Sequence, residues 1–224
     1  MNRLEPAPQP TYRLIPSRFP PVGLFDTVST AADLEAVMEL EGWTNDRLVV
    51  ERIARLPKEE WVFGRPNSSI VMAAFLHAPP GGARFNSGEL GAWYAAASLI
   101  TAAAEVAHHL RREAASRGIE QPISRVYRAY SARLEGEFVQ ICGRQAEMPE
   151  IYAPDDYSAS QAFGEKIRGE GGDGILYDSV RHAGGINVVA FRPSKVLDVV
   201  QTDHFEITVW AHRRAIDVRR IASG

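Results

Sequence analysis

Cysteine is all but missing from this 224-residue chain: Cys142 stands alone. No intrachain disulfide can form, and no thiolate cluster can hold a metal. Cys142 follows Phe138, Val139 and Ile141, a setting in which a thiol serves as a small buried hydrophobe, and no adjoining base or cation activates it. Long apolar runs are missing too. The longest, over residues 95–107, is interrupted by Ser98, Thr101 and Glu105, so no membrane span is expected. The opening Met1-Asn2-Arg3-Leu4-Glu5-Pro6 lacks a signal peptide's apolar core, and cytoplasmic residence is the expectation. Nor is there a basic surplus. Lys and Arg number 25 against 28 Asp and Glu, a net charge of −3, which argues against direct nucleic-acid binding. The histidines at 77, 108, 109, 182, 204 and 212 make no HxxxH or HExxH pair, so no metal site is expected.

What remains is a globular composition, 45% apolar and 24% charged, on a chain long enough for one well-packed domain. Residues 1–11, with three prolines, read as a flexible N-terminal arm and residues 12–224 as a single domain. A short strand is expected over 12–15, and helices over 33–41 and 45–56. The apolar run 69–78, bounded by Pro66-Asn67 and Pro79-Pro80, reads as a buried strand. A strand through Trp93 and Tyr94 precedes the clearest helix, with Ser98 as N-cap, its end near Ser116 and Gly118 as stop signal. Its apolar face is drawn through Leu99, Ile100, Ala103, Val106, Ala107 and Leu110. Strands are expected over 125–134, 137–142, 174–177, 186–191, 196–200 and 205–211, with one more helix over 158–168. Helices early and strands late, without βαβ alternation, indicate an α+β fold with a mixed or antiparallel sheet.

Several residues carry chemistry. Glu105 lies off the apolar stripe of the long helix, among small neighbours that leave room for a ligand. It also fits a surface Glu with cationic partners His108, His109 and Arg112 at i+3, i+4 and i+7. Arg84, between Gly81-Gly82 and Phe85-Asn86-Ser87-Gly88, is either an ordinary loop cation or a bidentate phosphate clamp. Tyr94 is a core aromatic or a stacking surface. The glycines of 169–174 lack P-loop and dinucleotide-fold spacing and read as a turn before a strand that ends at Ser179. Asp178, Ser179 and His182 lie too close in sequence for a hydrolase triad, and no GxSxG elbow is present.

Order and spacing bring these residues together. Arg84-Phe85-Asn86, Gly91-Ala92-Trp93-Tyr94-Ala95-Ala96 and Ser98 through Val106 resemble the signature of the RES domain, a family named for its Arg, Glu and Ser. Gly172 through Arg181, followed by Gly184 through Phe191, resembles its second motif, and Tyr12-Arg13-Leu14 its first strand. The separation of Arg13 from Arg84 is longer than in compact members, which reads as a helical insertion over 31–57.

The resemblance implies an ADP-ribosyltransferase-like fold and an NAD-degrading toxin of a toxin–antitoxin pair. Such enzymes cleave the nicotinamide–ribose bond by phosphorolysis, to nicotinamide and ADP-ribose phosphate, or by hydrolysis. NAD is then the substrate, inorganic phosphate a co-substrate, and no resident cofactor is needed. The implied catalytic set is Arg84, Tyr94, Glu105 and Ser179, with Arg13 and Asn187 in substrate binding. Glu105 would stabilise the oxocarbenium-like cation and grip a ribose hydroxyl. Arg84 and Arg13 would clamp phosphates, Tyr94 would pack on the nicotinamide, and Ser179 and Asn187 would bond ribose or phosphate oxygens. An antitoxin with an Xre-like DNA-binding region is the implied partner in a hetero-oligomer. ADP-ribosyl transfer to a macromolecule, and a non-catalytic NAD or ADP-ribose binding module, are the alternatives.

Overall fold

Strands gathered mostly in the second half of the chain, those over Gly174–Asp178 and Ile186–Ala190 as largely apolar buried runs, build one large sheet. The computed structural model describes residues 3–18, 24–30, 32 and 51–221. Its strands are β1 (Arg3–Glu5), β2 (Thr11–Pro16), β3 (Trp93–Ala96), β4 (Ile123–Leu134), β5 (Phe138–Gln140), β6 (Gly174–Asp178), β7 (Ile186–Ala190), β8 (Val196–Trp210) and β9 (Arg213–Ile221). They lie in the order β1-β5-β6-β7-β3-β2-β4-β8-β9. Every neighbouring pair is antiparallel except β5 and β6. With α1 (Ser68–Leu76), α2 (Leu99–Ser116) and α3 (Ser158–Gly169), this is the expected α+β fold.

Alternation along β3 divides the core. Trp93 and Ala95 point to the face covered by α1. Tyr94 and Ala96 point to the other, where α3 and α2 cover neighbouring parts of the sheet as separate clusters. The space between those two clusters holds the candidate site.

α2 forms where expected because its ends are chemically marked. Ser98 Oγ accepts the Thr101 amide at 3.2 Å, and Gly118 follows the last turn at φ +64°. Its buried positions are mostly alanine, Ala102, Ala103, Ala107 and Ala114, so the helix lies close on β2 and β8. Ile100, expected on the apolar face, is instead 69% exposed. It sits in the first turn, which overhangs β9 beside the exposed Ile216 and Val218.

Three other expectations fail for physical reasons. The run over 69–78 is the helix α1, not a strand. It is apolar all round because it is buried all round, and a short fully buried run has no period to read. Its N-terminus is completed from afar, since the Asp26 carboxylate accepts the amides of Asn67 (2.9 Å) and Ser69 (2.8 Å). The arm is not wholly loose: Arg3–Glu5 pairs with β5, Ala7 is buried, and the Gln9 amide bonds both backbone groups of Leu134. The strands expected over 196–200 and 205–211 are one long β8, which takes up Asp198 at φ +51°. β9 escaped notice because it is exposed at nearly every position and its alternation is confined to Ile216 and Val218 among arginines. The helix over 33–41, residues 45–50 of the next one and most of the supposed insertion 31–57 lie outside the described residues, while residues 51–53 are helical.

α3 grips the loop that carries Arg84. Gln161 Nε2 donates to the carbonyls of Gly81 and Ala83, Glu165 accepts the Ser87 amide, and Arg168 donates to the carbonyls of Leu90 and Gly91. The approach is close enough that a Cβ on Gly164 would lie 2.0 Å from the Phe85 carbonyl oxygen. Gly164→Ala is therefore expected to lower stability by about 1–3 kcal/mol, the usual cost of overpacking. Urea denaturation checks this, and an unchanged midpoint would contradict the packing described.

Candidate active site

The geometry starts from a gap in the sheet. β2 and β3 register at one pair, Tyr12↔Ala96, and then splay apart. Arg13 reaches into the opening, where Nη1 donates to the Tyr94 carbonyl at 3.2 Å and the guanidinium lies 4.8 Å over the Trp93 ring. Burial lowers its pKa to about 10, which still leaves it charged at neutral pH.

Arg84 sits at the tip of a tight turn. Gly82, at φ +70°, and the Ala83 amide bonded to the Asn86 carbonyl (2.9 Å) reverse the chain around Arg84 and Phe85. Phe85 is buried edge-on against Tyr177 and anchors the turn. Arg84 is not a solvated loop cation. It is 7% exposed, Nη1 donates to the carbonyls of Ile151 (3.1 Å) and Ala153 (2.9 Å), and the guanidinium stacks 4.7 Å over Tyr157. Among the described residues its hydrogen bonds use Nη1 alone.

Glu105 descends from α2 toward β6 and β7. Its Oε1 accepts the Ser179 hydroxyl and the Asn187 amide, each at 2.6 Å. Ser179 Oγ in turn accepts the backbone amides of Arg181 (3.1 Å) and His182 (3.0 Å), which fixes where its proton points. Among the described residues Oε2 has no hydrogen-bond partner. Ser179 stands behind the carboxylate that it hydrogen-bonds and is not among the residues lining the cavity. Asn187 does line the cavity but is likewise committed to Glu105.

Tyr94 presents its ring to the same space. Its hydroxyl donates to Asn86 Oδ1 (2.8 Å) and accepts the Phe85 amide (2.9 Å), tying β3 to the Arg84 turn. Burial raises its pKa well above the ordinary phenol value, so it stays protonated.

The cavity enclosed by these groups has a volume of about 490 Å³. Five of the six expected residues line it, all but Ser179. Sequence reasoning did not assign the others, chiefly His108, His109, Arg112, Arg181, Tyr157 and Tyr177. Three of them were visible as the i+3, i+4 and i+7 neighbours of Glu105, but had been given the surface reading. Tyr157 carries no local signal, because fold contacts alone bring it here, and Arg181 closes the second motif without having been assigned a role. Glu105 is the only carboxylate among the described lining residues, facing the guanidinium groups of Arg13, Arg84, Arg112 and Arg181. Burial first, and then Arg181, His109 and Arg112, push His108 down to about 4 against the pull of Asp155. His109 is lowered by burial too, and by Arg112, Arg181 and Arg84 against the pull of Glu105. Both rings are therefore neutral at pH 7. Such a cavity suits an anionic substrate on which one positive centre develops beside Glu105. Cys142 lies elsewhere, and burial raises its thiol to about 11, so it is no nucleophile at neutral pH.

Comparison with known proteins agrees with the residue order. The family model for the RES domain matches residues 50–210. The uncharacterized protein y4oC of Sinorhizobium fredii is 30% identical over 203 residues, covering 89% of this chain and 82% of its own length. Among solved structures, a chain from the crystal structure of the M. tuberculosis MbcT–MbcA toxin–antitoxin complex is 20% identical, with a TM-score of 0.40 over 55% of this chain and 73% of that one. No helix among the described residues is long and apolar enough to cross a membrane.

The neutral histidines give a pH test. His108 titrates at about 4 in the fold, below its ordinary 6.5, so on acidification the unfolded chain takes up the proton first. Its contribution to stability is complete above pH 6.5 and is lost as the pH falls toward 4. The urea midpoint should fall across that window, and less steeply in His108→Asn. Equal slopes for both proteins would refute the assignment.

Proposed function

Because the chain belongs to the RES-domain family, we propose that its cavity is the active site of an NAD-degrading enzyme that breaks the nicotinamide–ribose bond. The observation that carries this is Glu105, held on one oxygen by Ser179 and Asn187 and facing four arginines with the other oxygen unpartnered among the described residues.

The chemistry of the bond accounts for the composition of the site. As the ribose C1′–N bond breaks, its electron pair passes to the pyridinium nitrogen, and nicotinamide leaves neutral. No general acid is required, which fits a cavity with one carboxylate in place of the pair used by most glycoside hydrolases. The cation left at C1′ is stabilised by the fixed charge of Glu105, which needs no reorganisation because its donors already hold it. An oxygen of inorganic phosphate then bonds to C1′, giving ADP-ribose phosphate; water in its place gives ADP-ribose and one proton to solvent. Arg84 and Arg13 hold phosphoryl oxygens, with the remaining donors of Arg84 free for that purpose, and the Tyr94 ring forms a flat wall for the nicotinamide.

Family membership extends the proposal to a toxin restrained by an antitoxin with an Xre-like DNA-binding region, joined in a hetero-oligomer. Transfer of ADP-ribose to a macromolecule would use the same Glu105 with a different acceptor.

Purified protein mixed with NAD, with and without inorganic phosphate, should release nicotinamide. Glu105→Gln keeps the size and removes the charge, and is expected to lower kcat by about 100–1,000-fold, as for loss of one preorganised electrostatic group. No turnover in either condition, or an undiminished rate in the variant, would overturn the reading. An ADP-ribose adduct on added protein with little free product would favour the transferase.

A further inference from the structure

The proposed reaction leaves the outer end of the cavity unused. Glu105, His108, His109 and Arg112 share one face of α2 and all line the cavity. At 1.5 Å per residue, Arg112 stands about 10 Å along the helix from Glu105, well away from any bond that Glu105 attends. Arg13 and Arg84 belong to the inner end, where both act electrostatically on Tyr94 or bond to it, and where Arg84 and Glu105 act together on Tyr177. Arg112 lies at the outer end by the rise of the helix, and it and Arg181 both act on the His108 and His109 rings; Arg84 reaches His109 as well, and the Asp155 carboxylate opposes them at His108.

Arg112 is unlike its neighbours. Arg111 donates to the carbonyls of Trp210, Arg214 and Ala215, and both Arg117 and Arg125 pair with Glu113. Arg112 has no hydrogen bond or ion pair among the described residues, although it lines the cavity. Arg181 spends one donor on the Pro154 carbonyl (2.5 Å), which fixes its position at the rim. The two histidines between the ends are neutral at pH 7 and add donors without charge. His108 Nε2 is buried without a hydrogen-bond partner.

A dinucleotide diphosphate has two phosphoryl groups, and the inner arginines match them. We propose that Arg112 and Arg181 form a subsite for a third phosphoryl group, the 2′-phosphate of a phosphorylated nicotinamide dinucleotide, so that the cavity selects NADP over NAD. This rests on reading the cavity as a dinucleotide site. The adenosine 2′-position is separated from the scissile bond by a diphosphate and the arms of two riboses, a span that suits the two turns of helix between Glu105 and Arg112. A free phosphate at Arg112 stands too far away to attack C1′, so the third phosphoryl group is the substrate's own.

The test compares kcat/KM for nicotinamide release from NADP and from NAD, in wild type, Arg112→Gln and Arg112→Lys. A charge-assisted contact to a phosphate dianion gives wild type a preference for NADP of about tenfold or more. Arg112→Gln should collapse that ratio to below about threefold, and Arg112→Lys should restore part of it. Position 112 is an exposed helix site, so these variants are expected to fold. A wild-type ratio near one, or a ratio that Arg112→Gln leaves unchanged, overturns the subsite; equal losses on both substrates would place the diphosphate there instead. An Arg112→Gln protein whose only change is a raised KM for inorganic phosphate also overturns it, in favour of an acceptor site. Should neither dinucleotide turn over, the proposed reaction fails, and calorimetric binding to wild type decides the subsite separately. Tighter NADP than NAD binding supports it, and equal binding overturns it.

Discussion

A carboxylate brought down from a helix onto a sheet has to be supplied with hydrogen-bond donors, and the site is organised around that need for Glu105. A half-buried carboxyl group without donors would bear a desolvation cost that the fold could not spare. Ser179 and Asn187 supply them, from the end of β6 and the start of β7. Meeting them requires α2 to lie close on the sheet, and the alanines at 102, 103 and 107 allow that approach. It also requires the Ser179 proton to point at Glu105, which the amides of Arg181 and His182 enforce by occupying the other side of the oxygen. Small residues in the helix, a turn after β6 and an amide on β7 are thus parts of one arrangement.

The Arg84 turn is held on another principle. Its supports are cations and amides bonded to backbone carbonyls. Arg52, itself buried, donates to the carbonyls of Leu76, Ala78 and Gly88 and so clamps both ends of the segment between α1 and β3. Gln161 and Arg168 do the same from α3. A loop rich in glycine and proline has few side chains to pack. Its carbonyls are the groups available to hold, and planar multi-donor guanidinium groups suit that task. The result is a loop tied to the fold from two sides.

Local chemistry made much of this legible in the sequence. Ser98 and Gly118 mark the ends of α2, and the spacing of Arg84, Tyr94 and Glu105 brought together residues that do meet in space. What stayed hidden depends on distant partners. α1 read as a strand because its cap, Asp26, lies some forty residues away and its burial on all sides erases the helical period. Nothing in the neighbours of Ser179 shows that it hydrogen-bonds Glu105, 74 residues away in the chain. His108, His109 and Arg112 were visible at the right spacing, yet a helix surface and a cavity wall look alike until the opposite wall is known. That wall comes from Tyr157, which lies in no motif, and from Arg181, at the end of the second one.

Charge pairing at the site differs from that of many arginines elsewhere, though Arg52 and Arg111 likewise bond carbonyls alone. Arg125, Arg133, Arg168, Arg192, Arg219 and Arg220 all have carboxylates within ion-pair distance. Arg13, Arg84, Arg112 and Arg181, the arginines of the cavity, have none among the described residues. For the buried Arg13 and Arg84 this is unfavourable to stability, since a cation shielded from water needs a counter-charge, and the depressed value at Arg13 records that cost. The chain carries acidic residues in excess and could have supplied partners. Withholding them leaves a positive field concentrated between low-dielectric walls, and an anion that enters supplies the missing counter-charge. Stability forgone at Arg13 and Arg84 leaves a cavity whose charge suits an anion, with Glu105 the one carboxylate among its described lining residues.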